Sequence, residues 1–345
     1  MKKYFNRIFV DGLSGMALGL FSTLIIGTIM VQIGKFTEGD VSAYLTFIGN
    51  IAKSITGAGI GVGIASKFKE SPLVSIAAAV AGMVGAFPNM ANGFAVGAAG
   101  EPLGAFVAAI FAIEIGRLVS GKTKLDIIIT PFVAIISGSV AGIFVGPYIS
   151  RFMTMLGDVV NVNVAEHPIV GGIIVATVMG MILTLPISSA AIGISMGLSG
   201  LAAGAAVVGC CCQMVGFAVA SYRENKVGGL LSQGLGTSML QIPNIVKKPI
   251  IWIPPILSSV VLGPLSSAVL KMTSTPVGSG MGSAGLVGQF ETYFSMVNAG
   301  KSIPLVMIEI MTMHFILPAV LTLCISEGMR RAGWIKNGDM ALKVD

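Results

Sequence analysis

Residues 273–294 read TSTPVGSGMGSAGLVGQFETYF. The stretch is mostly glycine, serine and threonine, and it carries an amide and a carboxylate two positions apart, Gln289 and Glu291. The chain around it is apolar: of its 345 residues, 54% are hydrophobic and 10% charged, and the mean hydropathy is +0.91. A soluble domain has about a quarter of its residues charged. Many of the apolar runs here approach the roughly 20 residues that cross a bilayer as a helix. The composition implies an all-α polytopic membrane protein. In such a chain, a polar, glycine-rich stretch needs protein or a wet cavity around its backbone.

The other compositional signals narrow the class. Aromatic residues make up 7% of the chain and there are 46 glycines, which suits closely packed helices better than the alternating strands of a β-barrel. The net charge of +6 lies in short loops, where it sets orientation and implies no nucleic acid. Cys210, Cys211 and Cys212 are adjacent within an apolar run and read as small packing residues. With only His167 and His314 as imidazoles, neither a metal centre nor a cofactor is expected.

Apolar runs lie near 12–34, 42–66, 71–88, 103–120, 126–149, 169–187, 190–220, 250–271 and 303–327. The first follows a basic N-terminus and reads as a span, not a cleaved leader. The basic loops 67–70 and 121–124, together with both basic termini, point to cytoplasmic ends. Two cytoplasmic ends require an even number of crossings, so a further one is expected in GGLLSQGLGTSMLQIPNIV, residues 228–246. The expectation is about ten transmembrane helices, with 228–246 and 273–294 as broken or re-entrant hairpins. Residues 1–150 then form an N-terminal membrane half, 151–168 an amphipathic connector, and 169–345 a C-terminal half.

Broken segments at membrane depth mark ligand sites in many transporters, because their helix ends and free amides can bind. An ionisable group there is costly and points to function, so Glu291 ranks first as a ligand residue, flanked by Gln289 and Thr292. Gln233, Ser238, Gln241 and Asn244 form a similar set on 228–246, with mutual satisfaction as the structural alternative. In a second tier stand Asn89 and Glu101, within FPNMANGFAVGAAGEPLG (87–104), and His167 before Pro168; each also fits a plain surface position. Gly57, Gly59, Gly61 and Gly63 form two overlapping GxxxG pairs inside a span and read as packing rather than as a nucleotide loop. Glu114 and Glu309 lie within spans, where pairing with a loop lysine or arginine competes with a proton-carrying role. Amides, hydroxyls and a lone carboxylate favour a neutral polyhydroxylated solute. No catalytic nucleophile set is present.

The runs PISSAAIGISMGLSGLAAGAAVVGCCCQMVGFAV (186–219) and GGLLSQGLGTSMLQIPNIVKKPIIWIPPILSSVVLGPL (228–265) resemble the membrane-embedded IIC subunits of the bacterial sugar phosphotransferase system, in a stand-alone IIC-like branch. The resemblance implies a homodimer in the bacterial cytoplasmic membrane. It also implies an N-terminal interface half, a C-terminal transport half that moves like an elevator, and separate IIA and IIB partner subunits. It matches Glu291 to a hairpin glutamate that contacts the sugar hydroxyl to be phosphorylated. The histidine of that pattern is missing from 228–246, and these residues hold no phosphoryl-bearing domain. Two other classes remain open: an ion-coupled secondary transporter, with Glu114, Glu309 and His314 carrying protons, and a membrane receptor that senses a ligand without phosphorylating it.

Overall fold

The computed structural model describes residues 7–87, 96–98, 100–185 and 188–342. Among these the chain is helical, without strands, apart from an isolated bridge between Gly200 and Ser274. Six of the described helices are long and apolar enough to cross a membrane, or up to seven if a bent pair counts as one. The chain divides into two compact units, 1–155 and 156–345.

The first unit contains α1 (Leu13–Lys35), α2 (Gly39–Ser54), α3 (Thr56–Phe68), α4 (Pro72–Ala86), α5 (Pro102–Val119) and the start of α6 (Asp126–Glu166). The expected single span at 42–66 is instead α2 and α3, bent by 57° at their junction. Hydroxyls compete with the helix backbone there: Ser54 Oγ donates to Asn50 O at 2.7 Å and Thr56 Oγ1 to Lys53 O at 2.6 Å. The overlapping glycine pairs pack two different helices. A Cβ on Gly63 would fall 2.2 Å from Gly15 O, and one on Gly19 would fall 2.2 Å from Gly59 O, so that pair closes on α1. A Cβ on Gly61 would meet Ala78 O at 2.2 Å, and one on Gly82 would meet Gly57 O at 2.3 Å, which closes the other pair on α4. Residues 151–166 lie within α6 despite their polarity, because polarity alone does not stop a helix, and α7 begins at Pro168.

The second unit contains α7 (Pro168–Thr184), α8 (Ser189–Ser195), α9 (Gly200–Ala220), α10 (Tyr222–Leu231), α11 (Ile242–Lys247), α12 (Pro249–Val269), α13 (Pro276–Ser279), α14 (Val287–Asn298) and α15 (Ile303–Arg331). The run 190–220, expected as one helix, breaks between α8 and α9, where Gly197 and Gly200 adopt φ of +62° and +55°. Nearly every side chain of α9 is buried, Cys210–Cys212 included. Cys212 packs with Val208, Leu262, Met296 and Met313 in one apolar cluster, as expected of packing residues. Close backbone approaches bring α7 onto both neighbours. A Cβ on Gly209 would lie 1.9 Å from Ala176 O, and one on Gly263 would lie 2.3 Å from Gly172 O. Between α10 and α11, residues 232–241 form a π turn (Ser232–Gly236) and a 3₁₀ turn (Ser238–Gln241). Residues 273–286 form an extended leg, the single-turn α13 and a further turn leading into α14.

Candidate functional site

Three irregular segments meet in the second unit. At the α8 end, Ser189 Oγ donates to Gly280 O at 2.6 Å, and a Cβ on Gly280 would come within 2.2 Å of Ser189 O. Ser283 Oγ donates to Gly234 O at 2.6 Å, so the polar stretches 228–246 and 273–294 touch. The turn that launches α14 is strained: Leu286, a non-glycine residue, sits at φ +61° after Gly285 at φ +54°. Backbone strain of this kind clusters at functional sites.

On α14, Gln289, Glu291 and Thr292 are all buried. Residues two apart on a helix point to different sides, and Gln289 and Glu291 follow that rule. Glu291 and Thr292 face the extended leg, where Thr275 Oγ1 donates to Glu291 Oε2 at 2.5 Å and Thr292 Oγ1 to Ser274 Oγ at 3.2 Å. A Cβ on Gly278 of α13 would fall 2.8 Å from that of Glu291, so α13 packs closely against α14 there. Gln289 points the other way, its Nε2 lying 3.1 Å from His314 Nδ1 and 3.4 Å from Cys211 Sγ. His314 sits on a π turn (Met311–Ile316) within α15, a local widening frequent at functional sites.

The set on 228–246 divides. Ser238 Oγ is 2.9 Å from Thr184 Oγ1, and Thr184 in turn donates to Gln213 Oε1 at 3.2 Å, an oxygen that also accepts from Trp252 Nε1 at 2.8 Å. Gln233 Oε1 accepts from Gln241 Nε2 at 2.8 Å, and Gln241 Oε1 accepts from Asn244 Nδ2 at 2.9 Å. The same two amides hold the chain's own C-terminal segment, Gln241 donating to Met340 O at 3.0 Å and Asn244 to Ala341 O at 2.9 Å. Asn225 clamps that segment at two points, and Lys248 pairs with Asp339. Burial tends to raise the pKa of Asp339, but the bonds from Lys248 Nζ and Lys336 N outweigh it and hold the carboxyl below its usual range.

The residues that bear on fold and site lie inside one family match. A family model described as "Phosphotransferase system, EIIC" covers residues 10–342. The chain belongs to the phosphotransferase-system EIIC family. No curated protein matches it. This EIIC is a multi-pass membrane permease of the phosphotransferase type, and its family implies a sugar as substrate class and IIA and IIB subunits as partners.

The remaining candidates of this EIIC have other surroundings. Glu101 caps α5, its Oε1 accepting from Leu103 N at 3.0 Å. His167 is an exposed residue at the start of α7, beside an open groove of about 370 Å³ lined mostly by valines. Asn89 and Asn92 lie outside the described residues. Glu114 accepts from Arg7 Nε at 3.0 Å and pairs with Arg117 at 3.1 Å; Glu309 pairs with Lys301 at 3.0 Å. Both glutamates thus have the cationic partner that the sequence allowed them. Among the described residues His314 Nδ1 meets Gln289, while Glu309 is bonded by Lys301. Thr184, Gln213 and Trp252 escaped the sequence reading. Their only signal was a polar atom in an otherwise apolar run.

Proposed function

We propose that this EIIC carries a sugar or sugar-like solute across the bacterial cytoplasmic membrane, with its solute site on the α13–α14 hairpin. The observation that carries the reading is Glu291, a carboxylate 8% exposed, held by Thr275 of the polar, glycine-rich segment. Glu291, Thr292 and Gln289 are the solute-binding residues of α14. Ser238 and Gln233 belong to the segment that supports that helix, while Gln241 and Asn244 act through the C-terminal segment they hold. Asn89, Glu101 and His167 are second-tier candidates.

Ten crossings, one of them through the broken α10–α11 segment, with α13–α14 as a broken or re-entrant hairpin, keep both termini cytoplasmic. Residues 169–345 form the moving transport part, 1–150 the interface of a homodimer and 151–168 the connector between them, and transport follows an elevator-like displacement. Separate IIA and IIB chains, the partners its family implies, supply the phosphoryl group.

The test is ligand-induced thermal stabilisation of the purified protein with sugars, polyols and small organic acids, with Glu291→Gln measured in parallel. A ligand bound only to the native state adds about 2.7 kcal/mol at a hundredfold excess over its Kd. A shift with one sugar, lost in the variant, is expected. A shift that survives the substitution moves the site elsewhere. Stabilisation by anions alone replaces this reading with ion-coupled transport, and binding without flux in vesicles replaces it with a sensor.

A further inference from the structure

Gln289 directs its amide nitrogen at two protein acceptors, His314 Nδ1 and Cys211 Sγ. An amide nitrogen carries two hydrogens and accepts nothing, so Nδ1 of His314 is the acceptor and the imidazole bears its proton on Nε2. Gln289 Oε1 finds no partner among the described residues, although the residue is only 8% exposed. His314 is wholly buried, and its Nε2 likewise finds no partner there. A buried polar atom without a partner is costly, and here two such atoms sit at the base of the strained turn that launches α14.

We propose that His314 is a positioning residue for the solute. By accepting from Nε2, it locks the Gln289 amide with the carbonyl end turned to the ligand. The inference rests on α14 as the solute-bearing helix. It has a chemical consequence, because the amide could equally have faced outward with its NH₂ group. With Oε1 left as the unpaired end, Gln289 presents an acceptor. The solute must then donate to it. A polyol with free hydroxyls does so; an O-methyl ether, which can only accept, does not.

The chain has two histidines, so ¹⁵N-histidine labelling of the full-length protein in detergent resolves each by long-range ¹H–¹⁵N correlation. His314 is expected as the Nε2–H tautomer with an unprotonated Nδ1, and Gln289→Leu is expected to shift that Nδ1 signal. An Nδ1–H tautomer, or an Nδ1 indifferent to Gln289→Leu, overturns the proposal. Thermal stabilisation by a panel of D-hexoses, hexitols and their mono-O-methyl ethers supplies the functional arm. His314→Leu should weaken polyol binding roughly tenfold, the scale of one hydrogen bond, and narrow the preference for hydroxyl over ether. His314→Asn keeps an acceptor near the Nδ1 position and should restore both. If Gln289→Leu weakens binding while His314→Leu does not, the positioning role fails and the site stands. If Gln289→Leu and Glu291→Gln both bind like the native protein, the site reading itself fails.

Discussion

Replacing Asn225 with alanine tests the C-terminal clamp. Asn225 Nδ2 donates to Met340 O at 2.9 Å and its Oδ1 accepts from Leu342 N at 2.8 Å, a two-point hold on the backbone that reads no side chain. At about 0.5–1.5 kcal/mol per hydrogen bond, losing both costs about 1–3 kcal/mol. Met340 O keeps its bond from Gln241, so the larger effect falls on Leu342 N. Ile335 and Met340 stay buried against Phe217, Ile245 and Ile251, so the unit as a whole should remain folded. Each ~1.4 kcal/mol is a factor of ten, and the segment should open about five- to 150-fold more often. Hydrogen exchange followed by mass spectrometry reads this directly in the peptide spanning 332–342. Faster exchange should appear there and then in 225–248, whose Gln241 and Asn244 share the same contacts. Asn225→Asp keeps the acceptor for Leu342 N but sets an oxygen against Met340 O, and should open the segment as well. Native-like exchange of 332–342 in both variants would refute the clamp.

Three further outcomes are expected. Gly280→Ala places a methyl 2.2 Å from Ser189 O, more than an ångström inside ordinary contact, and should cost about 1–3 kcal/mol with loss of sugar stabilisation; Gly236→Ala, which meets nothing within 4 Å, is the control, and equal Tm values for the two would contradict the contact. Lys301→Met strips the cation from Glu309, 6% exposed, and should lower stability by about 3–5 kcal/mol, partly recovered when Glu309→Gln is added; an unchanged Tm counts against that pairing. Asp339 has its pKa depressed in the folded protein, so its contribution is full above the unfolded value near 3.9 and is lost as pH falls through the lower folded value. Fluorescence of Trp334, measured in a Trp252→Phe background, should show the segment releasing only in that acid range, and Asp339→Asn should abolish the transition.

Much of this chain was legible before any coordinates. Hydropathy alone made it a helical membrane protein, since a run of about 20 apolar residues has few other ways to satisfy its backbone in lipid. The overlapping glycine pairs at 57–63 were readable as packing, because spacing on a helix determines which residues share a face. The polar stretches 228–246 and 273–294 announced themselves by composition. What the sequence could not determine is which partner each polar group takes. Gln289 and Glu291 are near neighbours in the chain, yet the helix turns one toward His314 and Cys211 and the other toward Thr275. Gln241 and Asn244 read either as ligand residues or as mutually satisfied, and nothing local revealed that residues about a hundred positions downstream would also bond to them. The breaks at 55 and 197–200 were hidden for a related reason. Hydropathy averages over a window, whereas a hydroxyl bonding its own backbone or a glycine at positive φ acts at a single residue. Composition and period depend on the chain alone, and so the sequence determined them; hydrogen-bond partners depend on which segments the fold brings within about 3 Å, and only the tertiary structure decided those.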